Sequence, residues 1–148
     1  MTPELKSSIE SSVLCWLATA SREGQPNVSP KEIFTFYNEY IIVANIASPN
    51  TVRNIKSNPQ VSISFIDILV QKGFQVTGKA QIIDSKNEDY QEMEELLLTM
   101  TQGKFPFQTI TKIEILHTKP IIAPRYLLYP ETTEQDQIAN AKRAYGLS

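Results

Sequence analysis

The stretch Tyr40–Pro59, YIIVANIASPNTVRNIKSNP, decides how the rest of the chain is read. Tyr40 to Ala44 is a β-branched and aromatic run of the kind that makes a strand. Asn45, Ile46 and Ala47 carry the chain out of it. Ser48 is then placed to cap a short helix, with Pro49 at the first helical position, where its missing N–H costs nothing. Val52 and Ile55 give that helix one apolar stripe, and Ser57, Asn58 and Pro59 end it. The opening turn offers free backbone N–H groups beside the side-chain donors of Ser48, Asn50 and Thr51, with Arg53 one turn further on. That makes a small uncharged cradle for a phosphate. The same residues also read as a capped connecting helix with nothing bound.

The 148 residues around this stretch suit one domain with a real core. A hydrophobic content of 41% in alternating runs makes the chain globular rather than disordered. A net charge of −2 and a pI near 5.5 argue against a nucleic-acid surface, as does the lack of paired basic and aromatic residues on one strand face. The single cysteine, Cys15, excludes an internal disulfide framework and fits a reducing compartment. One histidine and one cysteine cannot build a structural zinc site. No apolar run is long enough to cross a bilayer, and the opening MTPELKSSIESS lacks a signal peptide's apolar core. The expectation is a soluble cytoplasmic protein without a membrane or nucleic-acid partner.

Before the deciding stretch, Leu5, Ile9 and Val13 predict an amphipathic helix from Pro3 to Ser12. Cys15 to Ala20 reads as a strand, and Ser21-Arg22-Glu23-Gly24 as a hairpin turn with Gly24 in the left-handed position. Pro26 to Ser29 resumes extended structure, and Pro30 interrupts the ladder as at an edge or bulge. Glu32 to Tyr37 continues as strand and turns at Asn38-Glu39. After the deciding stretch, Val61, Ile63 and Phe65 alternate with Ser62 and Ser64. Phe74 to Asp84 is a long strand in which Gly78 marks a bend or a close approach of another backbone. Asn87 is placed to cap a helix with Tyr90, Met93, Leu96, Leu97 and Met100 on its apolar face. Thr109 to His117 is another strand. Pro120 to Tyr129 reads as an extended, proline-punctuated arm, and Thr132 with Gln135 as the capping box of a last helix closed by Gly146. About six strands joined mostly by hairpins predict a mainly β fold with α insertions, closed as a small antiparallel barrel, in one domain spanning 1–148.

Three pieces in this order resemble the pyridoxamine 5'-phosphate oxidase-like, FMN-binding split β-barrel proteins. They are Leu17-Ala18-Thr19 with Gly24 to Pro30, the strand and helix ending Arg53 to Pro59, and Gly73 to Ala80. The resemblance covers Val13 to about Asp84. It implies a homodimer of six-stranded antiparallel split β-barrels with one FMN in each of two grooves between the subunits. It assigns Ser48, Asn50 and Thr51 to the flavin phosphate, with Arg53 near by. Asn27, Ser29 and Lys31 would lie beside the ribityl chain and ring, and Asn45 at the end of the adjoining strand. Many members carry an arginine and a lysine where this chain has Asn50 and Thr51. Losing those cations removes charge-assisted hydrogen bonds worth roughly 1.5–3 kcal/mol each unless Arg53, Lys56 or a basic side chain from the partner subunit compensates. The family's substrate-binding elements near the C-terminus have no counterpart in Arg125 to Pro130, against vitamin B6 oxidation.

The functional expectation is an FMN-dependent oxidoreductase of small-molecule type, its chemistry carried by the flavin and no catalytic side chain required. Lys31 would set its ammonium near the flavin ring, or else is an exposed lysine of an edge strand. The alternatives are a flavin-binding electron carrier or store, a flavin-less dimeric binding module, or a barrel using a deazaflavin or haem. Cys15 reads as a small core residue and His117 as an exposed histidine without a nucleophile partner.

Overall fold

The computed structural model describes residues 1–148. The chain runs α1 (Pro3–Ser11), β1 (Cys15–Ala20), β2 (Pro26–Lys31), β3 (Phe34–Tyr37), β4 (Tyr40–Ala44) and α2 (Pro49–Ser57). It continues through β5 (Gln60–Asp67), β6 (Lys72–Ile83), α3 (Tyr90–Thr101), β7 (Ile110–Ile122), α4 (Pro124–Leu128) and α5 (Glu134–Tyr145). The strands form one antiparallel sheet of seven, ordered β2-β1-β5-β6-β7-β4-β3 and curled into a split barrel. The count is seven where six were expected. β2 and β3, read as a nearly continuous run, are separate strands that break at Glu32 and Ile33 and lie at opposite ends of the sheet order.

The deciding stretch behaves as its composition demands. Ile41, Ile42 and Val43 are fully buried and Ala44 is 3% exposed, because β4 has a packed face on each side. Ile41 and Val43 point into the barrel with Leu17, Ile63, Phe65, Val76 and Ile113, and α1 adds Leu5 and Ile9 there. Ile42 and Ala44 join a second core under α3 with Ile83, Tyr90, Met93, Leu97 and Ile110. Each large aliphatic buried in this way contributes roughly 1.5–3 kcal/mol. Inside α2, Ile55 and Thr51 are buried while Val52 is only half-buried.

Several boundaries move for identifiable reasons. α1 ends at Ser11 and leaves Val13 81% exposed. Pro30 does not interrupt β2, since an edge strand can spare an N–H, and it lies opposite Trp16. The expected extended arm is instead the last part of β7 followed by α4, which Pro124 starts at its first position. The final capping box is Thr133 with Asp136, one residue beyond the expected pair, and Gly146 closes α5 at φ 70°. Gly78 is a close approach: a Cβ there would lie 2.1 Å from the Glu114 carbonyl oxygen, at the bulge where β6 slips against β7. No helix is long and apolar enough to cross a membrane.

Candidate functional site

β2 exposes Pro26, Val28 and Pro30 and turns Asn27, Ser29 and Lys31 toward α2, as the two-residue period of a strand requires. The opening turn of α2 meets them. Lys31 is 7% exposed, and its Nζ donates to Ser48 Oγ at 2.7 Å and to Thr51 Oγ1 at 3.2 Å. Ser29 Oγ lies 3.5 Å from Thr51 Oγ1. Ser48 occupies the N-cap position as expected, yet its hydroxyl makes no cap bond. It donates to the Ile46 carbonyl at 2.9 Å and accepts from Lys31. The first-turn amides of α2 therefore keep their free donors beside a buried ammonium.

That ammonium has no carboxylate partner. The ion pairs of the structure join the N-terminal amine of Met1 to Glu39, Lys72 to Glu134 and Lys112 to Asp89. Burial holds the Lys31 pKa below that of an ordinary lysine, with the neighbouring Cys15 working in the opposite direction. The Cys15 thiol is itself pushed up to about 12 by burial, against the pull of Lys31, so it stays neutral and belongs to the core as expected. An unpaired buried cation at the positive end of a helix is costly until an anion joins it.

The remaining expected residues fall around this centre. Asn45 follows β4 and is held from β7 and the residue before it, its Nδ2 donating to Thr109 Oγ1 at 3.1 Å and its Oδ1 accepting from Thr111 Oγ1 at 2.8 Å. Asn50 is exposed and accepts from Arg53 Nη1 at 3.0 Å. Asn27 faces α2 without a side-chain bond to the group. Two cavities open here and share Ser48. One, about 200 Å³, is lined by Lys31, Ile33, Ala44, Ile46 and Phe105. The other, about 730 Å³, lies between α2 and the segment before β7, with Asn45, Arg53, Lys56, Phe107 and Thr109 on its walls. Ser29, Lys31, Ser48 and Thr51 thus come together, whereas Asn45, Asn50 and Arg53 form a rim. Thr109, Thr111 and Phe107 were not singled out in the sequence, because only the pairing of β4 with β7 brings them to Asn45.

The split barrel thus carries a cradle of hydroxyls, free amides and one buried ammonium, a set of donors without a carboxylate partner. The family model described as pyridoxamine 5'-phosphate oxidase matches residues 1–115, and the chain belongs to that family. No curated protein matches it. Among solved structures, it is similar to HupZ of Group A Streptococcus at 23% identity and a TM-score of 0.71, covering 83% of this chain and 95% of that one. An FMN-binding protein from Syntrophomonas wolfei subsp. wolfei shares 18% identity at a TM-score of 0.66, over 79% and 83% of the two chains. HutZ, the haem storage protein from Vibrio cholerae, shares 21% identity at a TM-score of 0.59, over 81% and 92%. At these identities the likeness is one of fold.

Proposed function

We infer that this protein binds FMN by its phosphate at the opening turn of α2 and acts as an FMN-dependent oxidoreductase on a small molecule. One observation carries the inference: the buried Lys31 ammonium, without a carboxylate, aimed at Ser48 and Thr51 beside free helix amides. Lys31 supplies from β2 the positive charge that Asn50 and Thr51 lack in α2. Its role accordingly moves from the flavin ring to the phosphate, where Ser48, Thr51 and the first-turn amides complete the donors. Ser29 and Asn27 continue along β2 on the side of the ribityl chain, and Asn50, Arg53 and Asn45 form the rim. The bound flavin would supply the hydride or electron transfer. The chain's part is to bind, to orient and to keep the anchor dry.

A second copy of the chain is expected to complete the groove. The outer face of β2, β1, β5 and β6 carries Val28, Trp16, Ala18, Ser62, Ser64, Gln75 and Thr77, with Lys79 as a charged side chain at its end on β6. Val28 is 60% and Trp16 46% exposed there, which suits burial against another subunit. A cytoplasmic location is in keeping with the lone free thiol of Cys15.

The test is the spectrum and melting temperature of the purified protein. A yellow preparation that releases FMN on denaturation, or a colourless one whose melting temperature rises on adding FMN but not riboflavin, supports the inference. A colourless protein indifferent to FMN refutes it, and a Soret band after adding haem would put a haem protein in its place. Light scattering reads the dimer independently.

A further inference from the structure

Lys31 is the only buried lysine of the chain, and its Nζ donates into the opening turn of α2. A cavity of about 200 Å³ opens beside it, walled by Ile33, Ala44, Ile46, Ser48 and Phe105. That is several times the roughly 30 Å³ that one water takes up in the liquid. Glu32, the acidic residue on this wall, is exposed and makes no ion pair with Lys31. An amine is a nucleophile only in its neutral form, and burial without a carboxylate partner favours that form. The neighbouring Cys15 thiol does not compete, since burial keeps it protonated.

We propose that Lys31 is a modification site for acyl phosphates: the opening turn of α2 seats the phosphate end, and the acyl group passes to Lys31 Nζ and closes the site to flavin. The proposal rests on the reading that this turn seats a phosphate. The phosphate oxygens take the free first-turn amides and the Ser48 and Thr51 hydroxyls. In an acyl phosphate a single bridging oxygen separates the acyl carbon from the phosphorus. Nζ lies 2.7 Å from Ser48 Oγ and 3.2 Å from Thr51 Oγ1, and so stands within reach of that carbon. The ammonium first releases one proton to solvent. The Nζ lone pair then forms the new C–N bond. The bond from carbon to the bridging oxygen breaks, its electron pair leaves on inorganic phosphate, and the second proton shed by the nitrogen goes to that phosphate. The amide that results is neutral, so the charge that anchors a flavin phosphate is gone, and the acyl group occupies the small cavity. Flavin and acyl phosphate thus compete for one seat, and the loser is excluded once the acyl group has transferred.

The test incubates the full chain, freed of flavin, with acetyl phosphate at mildly alkaline pH and follows acetylation of each lysine by peptide mass mapping. Lys79 and Lys86, both exposed, are the references. Lys31 is expected to acetylate about tenfold faster than either, or more. Excess inorganic phosphate should abolish that lead, FMN should do so at lower concentration, and the references should not change. Acetic anhydride, which carries no phosphate, should show no preference for Lys31. Protein acetylated at Lys31 should bind FMN at least about tenfold more weakly. A Lys31 rate no higher than the references, a lead that phosphate leaves intact, or the same lead with the anhydride overturns the proposal; FMN binding by the untreated protein then shows that the seat itself stands. Transfer selective for Lys31 and blocked by phosphate, in a protein that does not bind FMN, upholds the proposal and removes the flavin instead.

Discussion

Replacing Lys31 with methionine separates the two things this buried ammonium can do. Methionine fills much the same volume along the stem and carries no charge, so the small cavity stays lined. Without a ligand, Lys31 donates to Ser48 Oγ and Thr51 Oγ1, and it carries the desolvation cost that lowers its pKa. Removing it gives up two hydrogen bonds but also relieves an unpaired buried charge, so the ligand-free protein should melt at nearly the wild-type temperature. The ligand-bound state responds differently. A charge-assisted bond to phosphate is worth roughly 1.5–3 kcal/mol, so FMN should bind about ten- to 150-fold more weakly to Lys31→Met. Riboflavin, which has no phosphate, should bind both proteins equally. For the wild type, FMN at about a hundredfold excess over its Kd adds roughly 2.7 kcal/mol, which raises the melting temperature by about 5–11 °C. About half of that rise or less should survive in the variant at the same FMN concentration. Calorimetric titration with both flavins, alongside thermal melts, makes the measurement. An FMN affinity within twofold of wild type, or an equal loss for riboflavin, refutes the assignment of Lys31 to the phosphate.

Three further predictions follow from the same geometry. Ser48→Asp places a carboxylate at the N-cap next to Lys31, where the serine makes no cap bond; the ligand-free melting temperature should rise and FMN binding should disappear. Retained FMN affinity in that variant contradicts the shared seat. Because burial lowers the Lys31 pKa from 10.5, the native protein loses this proton at a lower pH than the unfolded chain does. Between the lowered value and 10.5 the unfolded state thus binds more protons, so ligand-free stability gains with rising pH from this group, while FMN affinity falls across the same window. Both slopes should vanish in Lys31→Met, and pH-dependent melts with titrations check it; an FMN affinity that stays flat throughout the window counts against the anchor. Gly78→Ala brings a Cβ to 2.1 Å from the Glu114 carbonyl oxygen, so β6 and β7 must shift. A cost of roughly 1–3 kcal/mol should lower the melting temperature by several degrees, and an unchanged melt would show the bulge to be pliable.

Local chemistry made much of this protein legible from residues alone. The apolar run of β4 needs burial on both faces, Pro49 can only begin a helix, and Gly78 has no side chain to keep another backbone away. Such constraints act within a few residues, so they survive without knowledge of what packs where. The resemblance to the family rests on the same kind of local pattern and extended correctly to the barrel. What failed locally did so where two readings differ by little energy. Pro124 starts a helix as readily as it punctuates an arm, and Thr133 with Asp136 competes with Thr132 and Gln135 for the same cap.

Long-range pairing decided the rest. The order β6-β7-β4 brings Thr109 and Thr111 to Asn45 across more than sixty residues of chain, and no spacing in the sequence encodes that. The same holds for Lys31. As sequence it was equally an exposed lysine of an edge strand, and only the docking of α2 against β2 buries its ammonium over Ser48 and Thr51. The chain by itself thus determined most of the segments that form strands and helices, and the helix that opens after Ser48 with Pro49, because backbone preference is set by near neighbours. Tertiary structure alone decided that the Lys31 ammonium is buried against the opening turn of that helix, because burial of a charge depends on everything packed around it.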